Sequence, residues 1–188
     1  MAFGPDVTTT TLRTARLELV PMTLAMVEAV MLGRREDSED LAHAEMPERW
    51  PNHELIERAF PVSLDEIRAD PAARLWGARV MVADAPVAPG RRVVGSIVFH
   101  GKPGRDGVAE IAYGVEEGSQ RRGYATEAVA ACVDWALSEE GVLAVQATTF
   151  SWHHPSLRVI GNVGMIAVGV RDHETLGEML VFERRRAP

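Results

Sequence analysis

Glu110-Ile-Ala-Tyr-Gly-Val115, a short polar turn, and Gln120-Arg-Arg-Gly-Tyr-Ala-Thr-Glu127 running into an apolar helix form the stretch whose reading decides the fold. A strand delivers the chain to a loop, and the loop opens a helix with Arg121, Arg122 and Gly123 at its mouth. The first N–H groups of a helix have no partner inside it and lie at the positive end of its dipole. Such a spot suits a phosphate or pyrophosphate. Gly123 permits a tight turn, and Ala125 keeps the first helical turn slim enough for phosphate oxygens to reach those N–H groups. Arg121 and Arg122 either supply positive charge there or are a solvated helix start. Thr126 adds a hydroxyl in the first turn, whereas Glu127 reads as structural, a carboxylate complementing the dipole. The lysine-bearing P-loop and the three-glycine dinucleotide fingerprint are both absent.

On the strand before the turn, Glu110, Ala112 and Gly114 share one face, and Ile111, Tyr113 and Val115 the other. The first face carries one carboxylate among small residues, so a ligand can approach the backbone closely. Taken without the turn that follows, a solvated glutamate on a surface face is the simpler reading.

Outward from this centre, residues 1–11 read as a loose polar tail and 12–188 as one domain. Arg13–Val20 is a first strand, and Thr23 is placed to cap a helix over Leu24–Leu32. Short helices are expected near Glu36–Ala44, His53–Phe60 and Leu64–Ala69, divided by Pro47, Pro51 and Pro61. Strands over Trp76–Ala83 and Arg92–His100 flank the turn-rich Pro86–Gly90 and predict an antiparallel pair. After the Val108–Val115 strand come a helix over Tyr124–Ser138, a strand over Leu143–Phe150 and a helix over Pro155–Asn162. Strands near Met165–Val170 and Glu178–Arg184 close the chain. This order gives an α/β domain built on a mixed sheet with helices on its faces.

Composition narrows the partners. A chain of 188 residues with 46% hydrophobic and 25% charged content can bury a core as one globular domain. A net charge of −7 argues against general binding to nucleic acid or a membrane surface, while leaving room for a local basic pocket. The single cysteine, Cys132, excludes an intramolecular disulfide and offers no metal-site spacing; it reads as a buried, inert thiol. The N-terminus lacks a basic region followed by an apolar core, and no apolar run approaches the roughly 20 residues a membrane span needs. A cytoplasmic location is the expectation.

Gln120-Arg-Arg-Gly-Tyr-Ala125 resembles the Gln/Arg-x-x-Gly-x-Gly/Ala turn of the GNAT superfamily of acetyl-CoA-dependent N-acetyltransferases. Glu110–Val115, Ala125–Ala128 and the segment Ser156-Leu-Arg-Val-Ile160 with Gly164-Met165 resemble the branch related to ribosomal-protein N-terminal acetyltransferases. Leu12–Leu19 fits that family's first strand, so the resemblance spans about residues 12–184, its specific part 108–165. It implies a strongly twisted, mostly antiparallel mixed sheet of about seven strands, the fourth and fifth splayed to admit acetyl-CoA. The pyrophosphate would sit on Arg121, Arg122, Gly123, Tyr124, Ala125 and Thr126, beside Gln120, with the pantetheine arm along the strand ending at Val115. Direct attack by a primary amine, of a protein N-terminus or a small molecule, would follow. Glu110 is the candidate base, and a backbone N–H near Val115 would steady the oxyanion. Ser156 matches a serine that gives a proton to the CoA sulfur, or else satisfies backbone donors at a helix start.

His153 departs from the family pattern, standing where an asparagine usually contacts the cofactor arm. It replaces that donor, acts as a base near neutral pH, or marks a degraded site. The last case defines an alternative, a catalytically impaired acyl-CoA-binding or interaction module of the same fold. No metal is expected. The partners implied are acetyl-CoA and an amine acceptor, with a homodimer left open. The acceptor site falls to residues 24–75, where Trp50, Trp76 and the acids of Glu36–Glu48 are either lining groups or ordinary core and surface.

Overall fold

The computed structural model describes residues 11–51, 56, 60–84 and 90–187. The expected tail at 1–10, most of the helix expected at 53–60 and the connector at 86–89 lie outside the described residues.

Strands β1 (Leu12–Arg13), β2 (Leu17–Pro21), β3 (Ala78–Asp84), β4 (Arg91–Phe99), β5 (Val108–Val115), β6 (Ala144–Phe150), β7 (Ile166–His173) and β8 (Gly177–Arg185) form one sheet. Its order is β1-β2-β3-β4-β5-β6-β8-β7, eight strands where about seven are expected. The extra strand comes from the first one. A turn at Thr14–Arg16 divides it into a small hairpin, the Thr14 amide bonding to the Leu17 carbonyl at 2.9 Å. All neighbours run antiparallel except β5 and β6, which are parallel.

Helices α1 (Leu24–Met31), α2 (Arg35–Ala42) and α3 (Phe60–Ala69) pack on one face, and α4 (Tyr124–Ser138) and α5 (His154–Asn162) on the other. Thr23 caps α1 as its sequence predicts, its hydroxyl accepting from the Met26 amide at 3.2 Å. Helix α3 includes Pro61, where the sequence reading divides two helices. Among the described residues the helix runs through Pro61 instead of dividing there.

Alternation along β3 feeds two cores. Met81 and Ala83 join the α4 side with Ile97, Ile111, Val129 and Val133, while Val80 and Val82 join Met26, Val27 and Phe60. Cys132 is fully buried in the first core, and burial pushes its thiol up to about 12, so it is inert as expected. Trp76 is also core, its ring 4.7 Å from that of Trp135 and 5.3 Å from that of Phe99, which removes it from the acceptor candidates.

Candidate active site

The sheet opens where β5 meets β6. Their pairing covers only Val108–Ala144, Ala109–Val145 and Glu110–Gln146, after which the strands part. This is the splay the resemblance implies, between the fifth and sixth strands once the divided first strand is counted. Beyond Glu110, β5 pairs with β4 alone. The Glu110 carbonyl and the Glu116 amide both bond toward β4, at 3.0 and 2.9 Å. Strand alternation therefore turns the N–H and C=O groups of Ile111, Tyr113 and Val115 toward the edge that β6 has left. Apart from the Val115 carbonyl, which Gln120 occupies, this is a strand edge without a strand partner beside a widening gap, a receptor for a chain of amides.

Helix α4 opens at the mouth of that gap. Its N-cap is Gly123, at φ +83°, with no side chain to cap the first turn. Arg121, at φ +60°, and Arg122 are exposed and stand beside it. Tyr124, Ala125 and Thr126 are half-buried in the first turn, and Gln120 donates to the Val115 carbonyl at 3.1 Å, tying the loop to the end of β5. Glu127 points away from the mouth. Its carboxylate accepts from the Thr14 hydroxyl at 2.6 Å, the Arg16 amide at 2.8 Å and Arg16 Nε at 2.7 Å. Burial pushes this carboxyl up, but those bonds outweigh it and hold it below its usual range. Arg16 also donates to the Arg122 carbonyl at 2.8 Å, and its guanidinium lies 4.9 Å from the centre of the Tyr124 ring. The anion-binding end of α4 is thus held from behind by the β1–β2 hairpin. An uncapped helix start, flanking guanidiniums and a carboxylate turned aside fit a pyrophosphate.

On the α1–α3 face, Glu110 sits at the fork, its side chain 25% exposed. Arg171 of β7 donates to both carboxylate oxygens, at 3.1 and 3.2 Å, and the Thr148 hydroxyl lies 3.4 Å away. His100 Nδ1 is 3.9 Å from the carboxylate. Further along this face a cavity of about 780 Å³ lies over Ser96, Gly114 and Glu116, walled by Pro47, Trp50 and Arg92. Trp50 is only 7% exposed, so it serves as core and wall at once. Of the acids in the Glu36–Glu48 run, Glu39 is spent on the Met46 amide at 2.9 Å and Asp37 on Arg34 at 3.2 Å, while Glu48 reaches the cavity.

On the opposite face, α5 borders the gap. His153 is its N-cap residue without a side-chain cap, and its Nδ1 lies 3.4 Å from the Thr149 hydroxyl at the end of β6. Ser156 is half-buried in the first turn, and its hydroxyl has no hydrogen-bond partner among the described residues, so it caps nothing. The Tyr113 hydroxyl donates to the Ser156 carbonyl at 3.3 Å, bridging β5 and α5. Among the described residues no group of three or more His, Cys, Asp and Glu side chains is arranged for a metal ion, and no helix is long and apolar enough to cross a membrane.

A sequence profile described as the acetyltransferase (GNAT) domain matches residues 16–166. The chain belongs to this GNAT family. As a member, the protein is an acyltransferase. The uncharacterized N-acetyltransferase YjdG of Bacillus subtilis (strain 168) is 24% identical over 155 residues, 82% of this chain and 89% of YjdG. Mycobacterium smegmatis RimJ, solved in complex with CoA-disulfide, shares the fold with a TM-score of 0.62 at 20% identity, over 96% of this chain and 88% of RimJ. A GNAT-family acetyltransferase from Bacillus anthracis has a TM-score of 0.61 at 18% identity, over 94% and 98% of the two chains.

The GNAT fold brings Glu110, Val115, the Gln120–Thr126 turn, His153 and Ser156 around one gap. Sequence reading missed Arg16, Arg171, Arg92 and Tyr113. Arg16 and Arg171 meet their partners only through long-range contacts, and Arg92 lines the cavity. Tyr113 carried a usable signal, a phenol on the strand that borders the turn.

Proposed function

We propose that the protein transfers the acetyl group of acetyl-CoA to the primary amine of a protein N-terminus or a small molecule by direct attack. The observation that carries this reading is the parting of β5 from β6 after Glu110, with the uncapped start of α4 at the mouth of the gap. The pyrophosphate binds Arg121, Arg122 and the first-turn N–H groups of Gly123 to Thr126. Gln120 secures the turn, and the pantetheine arm pairs with the free edge of β5 as far as Val115, opposite His153. The thioester then faces the cavity at Ser96 and Gly114, from which the amine enters.

An alkyl ammonium, with a pKa near 10, must lose a proton before it attacks. Glu110 takes it, directly or through water, with Arg171 fixing the carboxylate's orientation. Ser156 donates a hydrogen bond to the sulfur as charge develops there. Three acids, Glu48, Glu116 and Glu117, line the cavity against two arginines, Arg92 and Arg49, the latter 3.4 Å from Glu117, and this net negative wall favours a cationic acceptor.

Thermal unfolding with and without acetyl-CoA, against ATP as a phosphate control, tests the reading. Acetyl-CoA at about 100 times its dissociation constant stabilises a fold by about 2.7 kcal/mol. Stabilisation by acetyl-CoA alone, followed by CoA release with members of an amine panel, is the expected result. No shift with acetyl-CoA would refute it.

A further inference from the structure

Arg92 stands on the wall of the cavity over Ser96 and Gly114, and among the described residues its guanidinium makes no hydrogen bond or ion pair. The side chain is half-buried, and its Nε is shielded from solvent without a partner. The other arginine of the wall differs, since Arg49 is exposed and paired with Glu117 at 3.4 Å. The carboxylate whose field meets Arg92 is Glu116, and it is committed elsewhere. Its oxygens accept from the Gly118 amide at 3.0 Å and the Ser119 hydroxyl at 2.9 Å. Burial pushes the Glu116 carboxyl up, but those bonds and the Arg92 charge outweigh it and hold it below its usual range, an anion turned into its own loop. The backbone under Arg92 is held on both edges. It pairs with Ala83 of β3, while the Glu45 amide and carbonyl bond to Arg91 and Val93, each at 2.9 Å. A guanidinium on so rigid a base, with empty donors in a planar fork, is a preorganised receptor for a carboxylate.

Its place along the sheet gives the ligand a direction. Ser96 pairs with Gly114 in the antiparallel β4–β5 register, so Glu110 and Arg92 fall on opposite sides of that pair. Each is four residues from it, roughly 13 Å along a strand. An acceptor amine delivered at Ser96 and Gly114, toward Glu110, therefore has its far end toward Arg92. We infer that Arg92 binds a carboxylate of the acceptor, so the substrate class is an amine that carries an acidic group remote from the reacting nitrogen. The inference rests on the acetyl-transfer reading above. The net negative wall draws in the ammonium, and the one unpaired guanidinium fixes which way round the molecule lies. A carboxylate suits the site better than a phosphate ester. A dianion would meet Glu48, Glu116 and Glu117 on the same wall, whereas one guanidinium balances a monoanion.

Acetylation of matched acceptors tests this. One arm sets β-alanine, γ-aminobutyrate and ε-aminocaproate, of rising length, against their carboxamides. The other sets short peptides with glutamate at the second position against the same peptides with glutamine, which separates a free amino acid from a protein N-terminus as the source of the carboxylate. In at least one arm the acid should be preferred in kcat/KM by on the order of 10- to 100-fold, the range for hydrogen bonds to a charged group, and chiefly through KM. Arg92→Gln should bring that ratio close to one, and Arg92→Lys should restore part of it. Lost packing alone would slow acid and carboxamide alike and leave the ratio unchanged. Thermal unfolding with and without acetyl-CoA checks that both variants are folded and bind the cofactor. Ratios within about threefold of one in both arms of the wild type, or a preference that survives in Arg92→Gln, overturn the inference while leaving the acetyl-transfer reading intact. Wild-type protein that acetyl-CoA does not stabilise overturns both.

Discussion

Gly95 of β4 is where the sheet is least tolerant, and Gly95→Ala should reveal it. A Cβ built there would lie 2.3 Å from the Gly114 carbonyl oxygen, 3.0 Å from Val115 Cα and 3.2 Å from the Gly114 carbonyl carbon. All three are backbone atoms of β5, so no rotamer change relieves the overlap, and β5 must move by about 1 Å to restore contact distance. That movement stretches the adjacent bond from the Glu116 amide to the Val94 carbonyl, now 2.9 Å, beyond good geometry. Overpacking costs about 1–3 kcal/mol and a lost backbone bond about 1 kcal/mol. The stiffer unfolded chain returns about 0.4–1 kcal/mol. The net destabilisation is about 2 kcal/mol, a Tm drop of roughly 4–8 °C for a domain of this size. Thermal unfolding measured by circular dichroism reads it directly. Gly114→Ala is the control, because its Cβ meets nothing within 4 Å, and its Tm should stay near wild type. A Gly95→Ala Tm within about 2 °C of wild type would show that β4 and β5 are not held as closely as described, and with them the edge assigned to the cofactor arm.

Gly123→Asp should abolish stabilisation by acetyl-CoA, since it adds a negative charge at the start of α4 and a Cβ at φ +83°, 3.3 Å from Arg16 Nη2; Gly123→Ala separates strain from charge, and unchanged affinity in the aspartate variant would remove the turn from the cofactor site. Glu127→Gln should destabilise by about 2–3 kcal/mol through its bonds to Thr14 and Arg16. Because the folded carboxyl sits below its reference value of 4.5, that contribution is complete above the reference value and disappears as pH falls through the folded one. Denaturant midpoints of variant and wild type should accordingly converge in acid, and a constant difference would contradict the assignment. Glu110→Gln should lower turnover mainly at low pH, where amine deprotonation limits; overlaid pH–rate profiles would clear Glu110 of the base role.

Local chemistry was enough to fix the strand over Val108–Val115 and the helix over Tyr124–Ser138, whose ends the structure reproduces. The reasons are short-range. Alternation ends at a polar turn, and Gly123 supplies the one backbone conformation at that helix start which a side chain resists. Thr23 at the start of α1 was legible on the same grounds, through a bond spanning three residues. Errors fell where distant contacts outweigh local preference. The first strand divides at Thr14–Arg16, where Thr14 and Arg16 reach across the chain to Glu127.

The anion-binding turn is thus a property of the sequence, because its parts are neighbours along the chain. The gap is not. Glu110 and Gln146 pair, and the residues after them do not, only because two strands far apart in sequence meet at one end and diverge at the other. Arg171 on Glu110, and Tyr113 against Ser156, are juxtapositions of the same kind, 61 and 43 residues apart along the chain. Side-chain pattern records which face of an element is buried; it carries no term for which distant element will stand opposite. That partner is set by packing the whole sheet, so the cofactor turn is written locally and the chemistry opposite it is decided by the tertiary fold.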